Sequence, residues 1–167
     1  EQIRTTICLN NQPVKLVGSH AGLNVGPDGA THQMLEDIAL MRSLPNMVVL
    51  APGDANEAKL MAAAMAGDKR PNYVRLPREK TPLFLNQSTF EIGKSYTLRR
   101  GKDVALFGTG VMTYQLLLAA EKLANEYGIQ AEVIHFPTIK PLDEDAVLDA
   151  AQKCQAVITA EEGQIAG

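Results

Sequence analysis

The chain has little with which to staple, anchor or charge itself. Among its 167 residues are two cysteines, Cys8 and Cys154. They form neither a CxxC pair nor a disulfide framework, so both read as small buried hydrophobes in a reducing compartment, and no Cys/His metal set is available. Aromatic residues are 5% of the chain, the formal net charge is −3 and the pI is near 5.6. A nucleic-acid surface would need a basic stripe with interleaved aromatics, and that class is excluded. No apolar run approaches membrane-spanning length, and the opening EQIRTTICLN lacks the layout of a signal peptide. The expectation is a cytoplasmic protein with no membrane partner. Internal repeats and low-complexity stretches are also lacking. What remains, 46% hydrophobic and 21% charged, is an ordinary globular composition with room for one domain or two small ones.

Apolar spacing orders the chain. Residues 1–11 suggest the tail of a helix before an Asn10-Asn11 turn, and Val14 to Val17 reads as a short strand ended by Gly18. A helix is predicted from about Thr31 as N-cap, with Met34, Leu35, Ile38 and Met41 on one face and Leu44-Pro45 as its stop. Met47 to Ala51 is apolar throughout, which suits a parallel strand covered on both faces. Asp54 and Glu57 fit a capping box ahead of a helix buried through Ala58, Met61, Ala62 and Met65. A third strand is Tyr73 to Leu76, and residues 77–92 read as an interdomain linker. A second unit repeats the alternation. It has strands at Val104–Phe107, Ala131–Phe136 and Ala156–Ala160, a helix ending at Gly128 and another capped by Asp143. The fold class is therefore α/β: two consecutive units, residues 1–86 and 87–167, each a mainly parallel sheet flanked by helices.

Between the first strand and the next helix lies Ser19-His20-Ala-Gly-Leu-Asn-Val-Gly-Pro-Asp28-Gly-Ala-Thr-His32-Gln33. Three glycines, a proline, a carboxylate and two of the three histidines sit in a loop past a strand's C-terminal end, where ligands bind in open α/β sheets. Histidine is the natural proton carrier there. Arg78, just past the third strand, is a cation placed to meet an anion or to pair with a neighbouring acid such as Glu79.

This string, with the following LEDIALMRSLPNMVVLAPGDANEA and the closing ITAEEGQIAG, resembles the transketolase family over essentially the whole chain. The resemblance implies a thiamine-diphosphate pyrimidine-binding domain, incomplete here, followed by a truncated transketolase C-terminal domain. It implies that His20 and His32 are catalytic, near the ketose carbonyl and C1 hydroxyl. Asp28, Arg78 and His20 would bind substrate, Arg78 through the terminal phosphate. The cofactors implied are thiamine diphosphate and Mg, bound mainly by a partner domain or subunit, since the activating glutamate and the stacking aromatics of the family lie upstream of Glu1. The implied partners are an N-terminal transketolase subunit, a second copy in a homodimer and a sugar phosphate. The expected reaction is transfer of a two-carbon ketol unit from a ketose phosphate to an aldose. This chain by itself is expected to be inactive.

Pro27 and Ala21 depart from the commonest string of the family. The alternatives are a deoxyxylulose-phosphate synthase, a 2-oxoacid dehydrogenase beta subunit, or a non-catalytic dimerisation fragment. His20 favours transketolase over the synthase. Other candidates are set aside. Gly108-Thr109-Gly110 has Thr113 where a dinucleotide motif needs its third glycine. Arg99, Arg100 and Lys102 read as a solvated turn. His135 reads as structural, and Glu161 and Glu162 as a strand end that, by resemblance, shapes a subunit interface.

Overall fold

The computed structural model describes residues 1–165, which form two four-stranded sheets, each flanked by helices. A wide π-type helix, Ile3–Leu9, opens the chain. The first sheet holds β1 (Lys15–Gly18), β2 (Val48–Leu50) and β3 (Asn72–Arg75), with α1 (Asp37–Ser43) and α2 (Ala55–Gly67) as crossovers. β3 lies between β1 and β2 and is parallel to both. The second sheet holds β4 (Tyr96–Arg99), β5 (Val104–Gly108), β6 (Ala131–His135) and β8 (Ala156–Ala160) in the order β4-β6-β5-β8. α3 (Met112–Tyr127) and α4 (Glu144–Lys153) cover it.

The uniform apolarity of β2 is explained by its two faces. Val49 packs with Cys8, Ile38, Met47 and Tyr73, while Val48 and Leu50 pack with Met61, Met65 and Val74. Side chains alternate across a strand, so two cores need every position apolar. Each such burial contributes about 1.5–3 kcal/mol. Cys8 and Cys154 are both buried and free, as their spacing suggested.

Two strands were not evident in the sequence, and both are antiparallel to their neighbours. β4 pairs with β6, which places Arg99 in a strand rather than a turn. β7 (Thr138–Lys140) leaves the second unit and joins the first sheet beside β2. The edge that a three-stranded sheet would leave open at β2 is thus paired by a distant segment, which removes a site of unwanted association.

Helix caps follow the sequence where they are local. Asp54 Oδ1 accepts from the Glu57 amide at 3.0 Å, and its Oδ2 accepts from the amides of Phe84 and Leu85, each at 2.9 Å, tying α2 to the linker. The carboxylate of Glu57 reaches Gly53, whose amide it accepts at 2.7 Å, and meets His135 Nε2 at 2.8 Å. The other ring nitrogen of His135 is 2.6 Å from Thr113 Oγ1. His135 and Glu57 are fully buried, so His135 is structural and bolts the two units together. Gly128 ends α3 in a left-handed conformation.

The turn after α2 supplies a pH dependence. Burial alone would raise the carboxyl of Asp68, but hydrogen bonds from Arg70 and Asn72 outweigh it and hold the group down at about 2. A folded value below the unfolded one contributes stability above pH ~4, and the contribution is lost as pH falls through about 2. Relative to Asp68→Asn, the wild-type protein should lose on the order of 1–2 kcal/mol between about pH 6 and about pH 2. Urea titrations at both pH values measure it, and an equal difference at each would refute it.

Candidate functional site

The glycine-rich loop forms the wall of a cleft at the C-terminal end of β1. The cleft encloses about 420 Å³ and is lined by His20, Asp28, His32, Asp37 and Tyr73, among others. A larger hollow of about 760 Å³ lies beyond the second sheet, against Phe107, Phe136 and Val157. The smaller cleft holds both histidines of the loop and is the candidate site.

Each residue is held by a definite local device. His20 sits at φ 62°, left-handed for a non-glycine residue, and its Nδ1 lies 3.1 Å from Ser19 Oγ. Such a conformation costs about 1–3 kcal/mol and persists only where surrounding contacts enforce it. Here the next residue, Ala21, donates its amide to Leu76 at 3.3 Å and forms a bridge with Met34. Leu23–Asp28 forms two short 3-10 turns joined by a kink at Gly26 (φ 63°), the second of which carries Asp28 to the rim. Asp28 Oδ2 accepts from Arg78 Nη1 at 2.9 Å, and the same nitrogen donates to the Val25 carbonyl at 2.6 Å. Both side chains are partly exposed, so the pair contributes no more than ~1 kcal/mol to stability. Its effect is to aim the guanidinium.

The helix expected from Thr31 does not begin there. α1 starts at Asp37, and residues 29–36 are spent on turns in which the amides of His32 and Gln33 both donate to Gly29. The carbonyl of Met34 accepts from Gly22 at 2.9 Å and from Arg75, bonds to distant residues that take it out of a helical ladder. Thr31 is therefore not an N-cap, Met34 and Leu35 lie outside the helix, and His32 stands five residues before its first residue, out of reach of its dipole. His32 is set by Thr31, whose Oγ1 lies 2.9 Å from His32 Nδ1 and donates to the Asp28 carbonyl at 3.4 Å.

Below the histidines lies a network that periodicity did not find. The Tyr73 hydroxyl donates to Asp37 Oδ2 at 2.6 Å, and Arg75 Nε approaches the same oxygen at 3.5 Å. Arg75 also donates to the carbonyls of Met34 and Glu162. Burial, with the hydrogen bond and the charge of Asp37, pushes the Tyr73 hydroxyl well above its ordinary pKa, so it remains a donor. The signal available was the spacing of Tyr73 and Arg75, which puts two hydrogen-bonding side chains on one face of the strand. Glu161 and Glu162, adjacent in sequence, face different cavities. Burial raises the carboxyl of Glu161, partly offset by Arg75 and Arg42, while Glu162 Oε1 accepts from the Asn24 amide at 3.2 Å.

Residues 1–82 match the transketolase pyrimidine-binding domain and residues 93–167 the transketolase C-terminal domain. The chain belongs to the transketolase family. It is 42% identical over 170 residues to a chain of Methanocaldococcus jannaschii provisionally named a transketolase C-terminal section, covering all of this chain and 52% of that relative. It is 38% identical to the 6-deoxy-6-sulfo-D-fructose transketolase subunit of a Clostridium species, again over all of this chain and 52% of the relative. A 1-deoxy-D-xylulose-5-phosphate synthase of Thermomicrobium roseum is 39% identical, with 27% of its length covered. Among solved structures, a split-gene transketolase described as an inactive β4 tetramer superposes with a TM-score of 0.88 at 39% identity, over 97% of this chain and 52% of the other. The chain thus spans about half the length of the first curated relatives it matches. The two transketolase domains are those of a family that depends on thiamine diphosphate. Among the described residues no helix is long and apolar enough to cross a membrane.

Proposed function

We propose that this chain is the C-terminal section of a transketolase, moving a two-carbon ketol unit from a ketose phosphate to an aldose together with an N-terminal partner. The observation that carries the reading is the gathering of His20, Asp28 and His32 in one cleft, with Arg78 docked on Asp28. In this reading His32 moves a proton at a substrate hydroxyl, His20 contacts the carbonyl and C1 hydroxyl, and Asp28 accepts from a further hydroxyl. Arg78 meets the terminal anion, with His20 as a second contact. The pair with Asp28 is weak enough to be exchanged for phosphate. Two relatives are named for sugars that carry an anion, a sulfonated fructose and apulose 4-phosphate, and a placed guanidinium suits either group.

The residues present fit the sugar and not the rest of a thiamine-diphosphate site. The described residues gather no set of three His, Cys, Asp or Glu side chains able to hold a cation. The diphosphate and Mg are accordingly assigned to the partner, and no step is derived through them. Two copies of each half, in the cytoplasm, complete the proposed assembly.

Mixing the chain with a thiamine-binding N-terminal section tests the proposal. Neither half is expected to turn over alone, and the mixture should transfer glycolaldehyde units from a ketose phosphate. The synthase relative gives the second reading weight, and pyruvate decarboxylation in place of ketol transfer would establish it. No turnover of either kind would leave a non-catalytic dimerisation piece.

A further inference from the structure

We propose that Glu162, in the second unit, is a positioning residue: its carboxylate caps the first of the two 3-10 turns in Leu23–Asp28 and, through the Val25 carbonyl of that turn, aims Arg78. The inference rests on reading the cleft as a sugar-phosphate site. The first turn, opening at Leu23 and ending at the Gly26 kink, has Gly22 at its N-cap, so it has no side chain of its own there to accept its first amides. Glu162 supplies the acceptor from 138 residues away, taking the Asn24 amide at 3.2 Å. One residue on, the Val25 carbonyl receives Arg78 Nη1 at 2.6 Å, and Arg78 in turn holds Asp28. A series of hydrogen bonds, continued through the backbone of Asn24 and Val25, therefore runs from Glu162 to the anion-binding group.

Gly22 shows that the fit is specific. A Cβ on Gly22 would lie 2.5 Å from Glu162 Oε2, and its φ of +87° is one that other residues rarely adopt. The glycine leaves the space that the carboxylate fills. The same segment is held at further points: the Glu162 carbonyl accepts from the buried Arg75, the Gln164 amide donates to Leu35 at 3.3 Å, and the Gln164 side chain reaches Glu36. Residues 162–164 thus clasp both arms of the histidine loop, 22–24 and 34–36. The second unit sets the geometry of a site whose lining side chains all belong to the first.

The test uses the isotopically labelled chain, with amide exchange followed by NMR and inorganic phosphate as the probe. In Glu162→Ala the Asn24 amide should exchange at least about tenfold faster and phosphate should bind at least about threefold more weakly, with the Val49 amide of β2 unchanged. Those magnitudes correspond to loss of one hydrogen bond of ordinary net strength. Glu162→Gln keeps an acceptor at the same reach and should restore both readings to within about twofold of wild type. Glu162→Asp keeps the charge but is one methylene shorter; it should behave as alanine does, and it decides the matter if the alanine variant does not fold. Asn24 exchange within about twofold of wild type in the alanine or aspartate variant, or no rescue by glutamine, overturns the proposal. A wild-type chain that shows no phosphate response at Asp28 and Arg78 removes the sugar-phosphate reading and the positioning role with it; the cap itself is judged on Asn24 exchange alone.

Discussion

Replacing His32 with alanine in the complete assembly is expected to lower turnover about a hundred- to a thousandfold, the cost of deleting one preorganised group at the reacting atoms. Its hydrogen bonds specify what would be lost. Thr31 Oγ1, 2.9 Å away, engages the Nδ1 side of the His32 ring. In the proposed role Nε2 is the nitrogen that exchanges a proton with a substrate hydroxyl. The loss should fall on kcat, with substrate affinity changed far less, because the proton transfer matters most in the transition state. Steady-state ketol transfer with wild-type and variant assemblies measures it. A loss below about threefold would remove His32 from the chemistry.

Arg78→Ala should act on binding. A charge-assisted contact to a phosphate contributes about 1.5–3 kcal/mol, so KM for a ketose phosphate is expected to rise roughly ten- to 150-fold with a smaller change in kcat. An unphosphorylated ketose gains nothing from the guanidinium and should be used equally by both proteins. Arg78→Lys keeps the charge but loses the planar guanidinium that can meet a phosphate with two parallel N–H bonds, so recovery should be partial. The deciding quantity is the preference for phosphorylated over unphosphorylated sugar. If alanine leaves that ratio unchanged, Arg78 is a surface partner of Asp28 and nothing more.

Much of this architecture was legible because the determining interactions are local. Asp54 ahead of Glu57, Asp143 ahead of Ala146 and the glycine at 128 mark helix ends through bonds spanning three to five residues. The apolar run of β2 named a strand buried on two sides. His20, Asp28 and His32 were legible as a group because one loop holds them.

The start of α1 was misplaced for the opposite reason. Its would-be first turn from Thr31 lost the Met34 carbonyl to Gly22 and Arg75, partners twelve and 41 residues away. The return of β7 to the first sheet is equally non-local, and no periodicity within Thr138–Lys140 distinguishes a strand of one sheet from a strand of the other.

By itself, then, the sequence determined that this chain is two α/β units with a histidine-bearing loop past the first strand, since helix caps, two-sided strands and glycine turns are written in neighbouring residues. Tertiary structure alone decided which groups that loop answers to. The Tyr73–Asp37–Arg75 network, the docking of Arg78 on Asp28 and the reach of Glu162 to Asn24 join residues 36 to 138 positions apart. Contacts of that span exist only once the sheets have brought their partners together, and local periodicity carries no record of them.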